Sequence, residues 1–311
     1  MGRQALRGRP MKILMTGKTG QLGFELQRTL APLGELVALD RSACDLADPV
    51  SVRAAVRAVA PDVIVNPAAW TAVDAAEADA APAIAVNAVS PGVLGEEAAR
   101  LGALVVHFST DYVFDGSKEG AYTEADAPCP LGVYGQTKLD GERALASATA
   151  RHLILRTSWV VGAYGNNFAK TMLRLAAERE QLRVVADQFG APTSAALLAD
   201  LTAHLVMRYR QSIQPGAGDF PFGLYHVSST GETNWCDYAR FIVAEARALG
   251  QQLKVQPEHI IPIGTADYPT PARRPANSRL ATGHFQRTFG LRLPPWQDQV
   301  RHILQQLNGA H

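Results

Sequence analysis

The fold is decided by the stretch Met11-Lys12-Ile13-Leu14-Met15-Thr16-Gly17-Lys18-Thr19-Gly20-Gln21-Leu22-Gly23. Its first five residues are mostly apolar and predict a short buried strand, which three glycines follow at intervals of three. Apolar residues then recur at helical spacing, at Leu22, Leu26 and Leu30. A strand, a glycine-rich turn and a helix in this order are the context that a dinucleotide-binding fingerprint requires.

Each glycine of this turn has a physical reason. Gly17 permits a tight turn, Gly20 lets the backbone approach a pyrophosphate, and Gly23 lets the helix pack closely on the strand. The first amides of the helix are donors for phosphate oxygens. The predicted cofactor-contacting residues of the turn are Gly17, Thr19, Gly20, Gln21, Leu22 and Gly23.

The next strand, predicted from Glu35 to Leu39, ends on Asp40. A carboxylate at this place accepts hydrogen bonds from the adenosine ribose and favours NADH, whereas the adjacent Arg41 suits the 2′-phosphate of NADPH. The sequence therefore leaves NADPH or NADH open, and the alternative for Asp40 is an ordinary residue at a strand end. Asp45 and Leu46 follow and are predicted to line the adenine pocket.

Two further strands end in residues that suit a ligand. The strand Asp62–Asn66 continues into Pro67 and the small residues Ala68 and Ala69, followed by Trp70, and these are predicted to contact the cofactor. The strand Leu104–Phe108 ends in Ser109-Thr110-Asp111, which is rich in hydroxyl groups. In open α/β sheets, ligands bind at the carboxyl ends of the strands.

A Tyr-x-x-x-Lys pair lies at the start of a predicted helix. Positions four apart share one helix face, so Tyr134 and Lys138 are expected to project side by side. An adjacent ammonium favours the phenolate, which brings the phenol toward the range useful for acid–base catalysis. Alone, the pair recurs by chance on surface helices. Together with the glycine turn and Thr110, it predicts an active site.

The order of elements predicts an α/β protein with a Rossmann-like, doubly wound parallel sheet and a smaller α/β substrate-binding lobe. We assign residues 11–158 to the dinucleotide-binding domain, with 187–227 returning to it, and residues 159–186 and 228–311 to the smaller lobe. Residues 1–10 are expected to form a disordered extension, with Met11 as a candidate natural start.

Composition excludes several classes of function. The 311 residues carry a net charge of +1, which gives no basic field for nucleic acid. No apolar run approaches the roughly 20 residues that span a bilayer. The three cysteines are scattered and odd in number, which suits a reducing cytoplasm and gives no metal-ligand spacing.

With these residues in view, the chain resembles the extended short-chain dehydrogenases/reductases, and among them the dTDP-4-dehydrorhamnose reductase family. The resemblance runs from about Met11 to Leu307. Beyond the glycine turn and the Tyr-x-x-x-Lys helix, the segments that carry it are Ser109–Phe114, Arg156–Trp159, Asn166–Lys170, Asp187–Thr193 and Arg274–Leu280.

The resemblance implies reduction of the C4 keto group of a dTDP-4-dehydro sugar by NADPH or NADH. Tyr134 would protonate the C4 oxygen, Lys138 would lower the pKa of the phenol and hold the nicotinamide ribose, and Thr110 would bond the carbonyl oxygen. Asp111 and Trp159 match positions that line the sugar pocket. In the basic stretch Tyr268–Arg279, Arg274 is a candidate for the diphosphate, the alternative being a solvated loop.

Some members of the family are dimers around a shared Mg²⁺. Glu25 matches one of the acidic positions, but Ala196 stands where another glutamate is expected, and hard cations need several oxygen ligands. We therefore predict no tightly held metal, and a monomer or a homodimer.

Two other functions remain open from sequence. A 4,6-dehydratase or C4-epimerase shares the fold, but dehydratases carry Thr-Asp-Glu where this chain has Thr110, Asp111 and Tyr112. A non-catalytic dinucleotide-binding regulatory subunit is the other, although such proteins can lose the catalytic pair that this chain keeps.

Overall fold

The computed structural model describes residues 9–309, in which strands and helices alternate. The strands are β1 (Met11–Met15), β2 (Gly34–Ala38), β3 (Val63–Asn66), β4 (Leu104–Thr110), β5 (His152–Thr157), β6 (Val160–Val161), β7 (Leu182–Val185), β8 (Phe189–Gly190), β9 (Thr193–Ser194), β10 (Gly223–His226), β11 (Thr233–Asn234) and β12 (Ile260–Ile263). The helices are α1 (Gln21–Leu30), α2 (Pro49–Val59), α3 (Val73–Ala78), α4 (Ala80–Ala83), α5 (Ser90–Leu101), α6 (Val133–Ala148), α7 (Phe168–Glu178), α8 (Ala195–Ser212), α9 (Trp235–Ala248), α10 (Gly283–Phe289) and α11 (Trp296–Asn308).

Six parallel strands form the central sheet, in the order β10-β5-β4-β3-β1-β2. β1 lies between β2 and β3, with Leu14 opposite Val37 and Ile64. The chain therefore leaves β1 toward one edge and later crosses back past it. Such a reversal opens a crevice at the carboxyl ends of the strands, which is where ligands of this architecture bind.

Both faces of the sheet are covered by helices. On one face Ile13 and Met15 pack in one core with side chains of α1 and α8, and on the other Leu14 packs with side chains of α2 and α5. Successive residues of a strand point to opposite faces, so one strand serves both cores. The doubly wound α/β sheet predicted from the sequence is confirmed.

A further hydrophobic core, separate from the two on the faces of the sheet, lies apart from the sheet. It joins α7, α9 and α11 to the parallel pair β7 and β12, with Met172, Ile242 and Val300 among its buried residues. The division into two lobes remains a proposal. Phe285 and Phe289 of α10 fall in the range predicted for the smaller lobe but are buried in the core of the sheet.

The amino-terminal extension predicted for residues 1–10 lies mostly outside the described residues, which begin at Arg9. Arg9 forms an ion pair with Asp62, with 2.7 Å between Nη2 and Oδ1. Across residues 9–309, none of the helices combines the length and apolarity that crossing a membrane requires.

Candidate active site

The turn after β1 has the geometry for which its glycines are suited. Gly17 has φ of +61°, a conformation that side-chain-bearing residues rarely adopt. A Cβ on Gly23 would lie 2.0 Å from the Gly17 carbonyl oxygen, so any larger residue would push α1 off the turn. No side chain caps the start of α1. Its first amides are therefore available to an anionic ligand.

A cavity of about 690 Å³ opens over this turn and the carboxyl ends of β3 and β4. It is closed on the far side by the first turn of α6. The sequence-predicted residues that the structure brings together in its lining are Gly17, Thr19, Gly20, Gln21, Leu22, Gly23, Ala68, Ala69, Thr110, Asp111, Tyr134, Lys138 and Trp159.

The remaining predicted cofactor residues do not line this cavity. Asp40 Oδ2 lies 2.9 Å from Lys18 Nζ, and hydrogen bonds from Ser42 and Lys18 hold the pKa of Asp40 well below its ordinary value. Asp45 accepts from the backbone N–H of Ala47. Leu46 is buried in the hydrophobic core beside α2, because its side chain points inward from the loop.

Trp70 also lies outside the lining, and Asn87 explains its position. The Asn87 amide bonds both the N–H and the carbonyl of Trp70, at 2.9 and 3.0 Å. Asn87 therefore fixes the backbone of the loop after β3. Asn87 sits in a π-helical segment, Ile84–Val89, a distortion often found at functional sites.

Tyr134 lies in the first turn of α6, facing the cavity. Burial raises its pKa to about 12, with a further rise from the charge of Asp111, while a hydrogen bond with Thr110 acts in the opposite direction. Lys138 is not among the groups that cause this shift, so its lowering of the Tyr134 pKa stays a prediction. The ammonium turns toward β4 instead, where Lys138 Nζ donates to the Phe108 carbonyl at 2.6 Å.

Lys138 is only 1% exposed. Its burial lowers its pKa to about 8, and the carboxylate of Glu142, one helical turn further on, opposes that change. Glu142 is itself bound through two hydrogen bonds by Arg156 of β5, at 2.8 and 2.6 Å. The lysine is therefore a group that can change charge near neutral pH.

Several buried polar atoms of the cavity have no partner among residues 9–309. They are Ser109 Oγ, Asp111 Oδ2 and Thr157 Oγ1. Buried polar atoms are normally hydrogen-bonded, so unpaired ones that converge on a cavity fit a polar ligand. Ser109 belonged to the hydroxyl-rich strand end noted in the sequence, whereas Thr157 carried no comparable signal.

Asp111 has an unfavourable environment for its charge. Burial raises its pKa from the ordinary 3.8 to about 6. Below pH 3.8 the carboxyl is protonated in both folded and unfolded chains, and stability is lost as the pH rises through 6 and the buried group ionises. We expect Asp111→Asn to stabilise the protein at pH 7.5 by about 2 to 3 kcal/mol. The gain should vanish as the pH falls to 4, as measured by urea unfolding across this range.

Asp126→Asn is the control of opposite sign. Lys118 and Thr123 hold the pKa of Asp126 at about 2, so its charge stabilises the fold above that pH. Its replacement should therefore destabilise at pH 7.5. A stability of Asp111→Asn that follows wild type at every pH would contradict the assigned environment.

Two tryptophans from distant parts of the chain form one wall of the cavity. Trp159 and Trp235 stack with ring centroids 3.7 Å apart. Trp159 has φ of +47°, and a strained backbone of this kind is characteristic of functional sites. The sequence motifs indicated Trp159 but not Trp235, which lies much further along the chain at the start of α9.

A second cavity of about 460 Å³ adjoins the first, and Tyr112 and Trp235 line both. Its walls combine apolar side chains of α7 and β7 with three arginines, Arg179, Arg183 and Arg274. Arg274 forms an ion pair with Asp74 of α3, with 2.7 Å between Nη2 and Oδ2. Of the predicted substrate residues, Arg274 thus lies in the neighbouring cavity and the others in the first.

Glu25, the acidic position considered for a metal, is paired with a cation of the protein itself. Arg28 contacts Glu25 at 3.4 Å and Asp200 at 3.3 Å. Within the part of the chain that the structure describes, no group of three or more His, Cys, Asp or Glu side chains is placed to hold a metal ion.

Comparisons with known proteins agree along nearly the whole chain. Residues 11–308 match the family described as RmlD substrate binding domain. The dTDP-4-dehydrorhamnose reductase of Escherichia coli (strain K12) is 51% identical over 302 residues, covering 96% of this chain and 98% of that protein. The enzyme of the same name from Burkholderia thailandensis is 50% identical over 293 residues, covering 93% and 97%.

A solved structure is also similar. The dTDP-4-dehydrorhamnose reductase of Bacillus anthracis, crystallised in complex with NADP, superimposes with a TM-score of 0.84 at 33% identity, covering 96% of this chain and 99% of that one. Fold and overall sequence therefore agree with those of named members of one family. The chain belongs to the dTDP-4-dehydrorhamnose reductase family.

Proposed function

We propose that this protein is an NAD(P)H-dependent oxidoreductase that reduces the C4 keto group of dTDP-4-dehydro-L-rhamnose to give dTDP-L-rhamnose, a nucleotide sugar for cell-surface polysaccharide. The observation that carries the proposal is the meeting of Tyr134, Thr110 and Lys138 in a cavity built on a phosphate-binding turn. Family membership narrows the substrate to the compound for which its relatives are named.

The residues present fit a nicotinamide dinucleotide. The free amides at the start of α1 suit the pyrophosphate, and the small side chains of Ala68 and Ala69 leave room beside it. When bound, the cofactor supplies a hydride. Because Lys18 is paired with Asp40 and Arg41 lies beside them, a 2′-phosphate would meet two cations at this place, so we propose that NADPH is accepted as well as NADH.

Tyr134 is the proton donor in this proposal. With a pKa near 12 the phenol is protonated at neutral pH, so it is ready to donate to an oxygen that gains negative charge. Thr110 lies within hydrogen-bonding reach of Tyr134, and its hydroxyl is placed to bond the same oxygen as that charge develops. The ammonium of Lys138 stabilises the phenolate that remains after donation.

The second cavity is the proposed site of the nucleoside diphosphate. Guanidinium groups bind phosphates through paired hydrogen bonds, and apolar walls suit a base. Asp111 and Trp159 line the first cavity and Trp235 lines both, and we assign these three residues to the sugar. In this proposal the C4 carbonyl lies between the diphosphate and the nicotinamide.

Arg274→Ala tests the diphosphate assignment. We expect the KM for the nucleotide sugar to rise by about tenfold to a hundredfold, because a charged hydrogen-bonding partner is lost, while kcat and the KM for NADPH change little. Arg273→Ala, which removes the neighbouring exposed arginine, is the matched control and should have little effect. Asp74→Asn distinguishes a role of Arg274 in substrate binding from a role in holding α3, since it breaks the ion pair and leaves the arginine in place. A KM raised equally by Asp74→Asn would mean that Arg274 only holds α3.

The reaction itself is tested by supplying dTDP-4-dehydrorhamnose and following the absorbance of NADPH and NADH in separate assays. Loss of absorbance with formation of dTDP-rhamnose supports the proposal. No oxidation of either cofactor would overturn it and would favour the regulatory subunit.

Sugar dehydration is disfavoured by the chemistry of Tyr112. This residue stands where dehydratases carry a glutamate, and burial raises the pKa of its phenol far above neutrality. The carboxyl group that would act as acid or base in the loss of water is therefore missing at this position. Cytoplasmic location, supported by three free cysteines, is part of the proposal, and the choice between monomer and homodimer stays a prediction.

A further inference from the structure

A buried chain of polar side chains runs from Lys138 to the residue before the glycine turn. Lys138 Nζ lies 3.2 Å from His107 Nε2, and His107 Nδ1 lies 3.0 Å from Asn66 Nδ2. Asn66 Oδ1 in turn accepts a hydrogen bond from Thr16 Oγ1 at 2.6 Å. All four residues are 1% exposed. Because the chain ends at a buried threonine, it is not a path for protons to solvent.

His107 is neutral in this environment. Burial and the adjacent Lys138 hold the pKa of its imidazole well below the ordinary value. A neutral imidazole has one N–H and one lone pair, on opposite nitrogens. His107 Nε2 therefore accepts from an ammonium when the ring proton is on Nδ1, and donates to a neutral amine when the ring proton is on Nε2.

Asn66 and Thr16 can form hydrogen bonds with either tautomer of His107. As placed in the structure, Thr16 donates to Asn66 Oδ1 and the amide nitrogen faces the ring, which puts the ring proton on Nε2 and matches a neutral Lys138. With the amide turned over, its oxygen accepts from Nδ1–H, its nitrogen faces Thr16, and Nε2 accepts from the ammonium. A side-chain amide and a hydroxyl each contain both donor and acceptor, so either arrangement keeps the hydrogen bonds that join these four residues.

We propose that His107 is a positioning residue that holds Lys138 in both of its charge states by changing ring tautomer, with Asn66 and Thr16 completing the hydrogen bonds in either direction. The inference rests on the proposed function, in which Lys138 supports Tyr134. In turnover the Tyr134 O–H bond breaks as the C4 O–H bond forms. The phenolate then takes a proton from the Lys138 ammonium. The neutral amine that remains later takes a proton from solvent through the cavity. The imidazole keeps one proton throughout.

Other groups around Lys138 do not offer this reversibility. The Phe108 carbonyl accepts only. Tyr134 and Glu142 lie one turn away on α6, Arg156 of β5 is committed to Glu142, and Asp111 follows β4 on the cavity side. The imidazole of His107 is the neighbour that can both accept from Lys138 and donate to it.

The first test reads the tautomer directly in the protein without cofactor or substrate. In protein labelled with ¹⁵N-histidine, the ring nitrogens of His107 are assigned by their absence in His107→Gln. We expect a neutral ring throughout the range from about pH 6 to about pH 9.5. Its proton should move from Nδ1 to Nε2 near pH 8, where Lys138 loses its charge. One tautomer at every pH, or an imidazolium at neutral pH, would overturn the proposal.

The second test is the pH dependence of kcat in three variants. We expect His107→Leu to lower kcat at least about tenfold and to move the alkaline limb down by about one pH unit, because the hydrogen bond that the ammonium loses is stronger than the one that the neutral amine loses. His107→Gln should restore most of kcat and most of the position of the alkaline limb, since an amide both donates and accepts hydrogen bonds. Thr202→Val removes a buried hydroxyl group in α8, and its kcat and pH dependence should match those of the wild type. An unshifted profile in His107→Leu would overturn the proposal, whereas an inactive wild type would overturn only the proposed function and leave the tautomer measurement decisive.

Discussion

Tyr134→Phe is expected to lower kcat by roughly 10² to 10⁴ fold, the contribution typical of a positioned general acid. The Kd for NADPH should change by no more than about twofold, because the ring remains and only the proton donor is lost. Single-turnover reduction in the presence of saturating NADPH measures the first quantity, and quenching of protein fluorescence by NADPH measures the second.

Tyr225→Phe is the matched control for this experiment. Tyr225 of β10 is also buried, and its hydroxyl donates to the Pro221 carbonyl at 3.0 Å, away from the cavity. Its loss should reduce stability by about 1 kcal/mol and leave kcat unchanged. Equal losses of turnover and cofactor affinity in Tyr134→Phe would instead indicate that Tyr134 is structural.

Lys138→Met is expected to have the second large effect. We expect kcat/KM to fall by roughly 10² to 10³ fold, because the phenolate left by Tyr134 is no longer stabilised by an adjacent charge. Cofactor affinity should fall as well, since Lys138 lines the cavity as a charged donor. Steady-state kinetics with varied NADPH and direct binding measurements distinguish the two effects.

Stability provides the control for Lys138→Met. A buried ammonium is costly, and methionine fills a similar volume without a charge, so the melting temperature should be maintained or rise. Lys254→Met, at an exposed lysine far from the cavity, should leave activity unchanged. Full activity in Lys138→Met would contradict the role assigned to the lysine.

The local patterns of the sequence predicted most of the fold. Short segments of the sequence determine the alternation of strands and helices, the glycine turn and the start of α2 at Asp48. The backbone preferences of these segments do not depend on distant residues. Asp48 caps α2 by accepting from the Val50 N–H at 2.9 Å, and Pro49 follows it at the first helical position. The strand near Leu224 was likewise predicted to return to the sheet, and β10 pairs with β5 at its edge.

The same reasoning failed where packing decides direction. Leu46 follows a strand end that suits a cofactor, yet its side chain is buried in the core. The Tyr-x-x-x-Lys spacing put both side chains on one face of α6, but it did not reveal that Lys138 turns toward the Phe108 carbonyl and His107. Helical spacing gives the face of a residue, whereas the partner is fixed by the strand packed beneath.

The sequence by itself determined which chemical groups this protein has and on which strand ends and helix they stand, because those features follow from local periodicity and turn chemistry. Only the tertiary structure decided the environments of these groups. It stacked Trp159 on Trp235, placed His107 under Lys138 and buried the carboxyl of Asp111 beside Tyr134. Proton affinities depend on burial and on neighbours brought together from distant parts of the chain, so they exist only once the chain has folded.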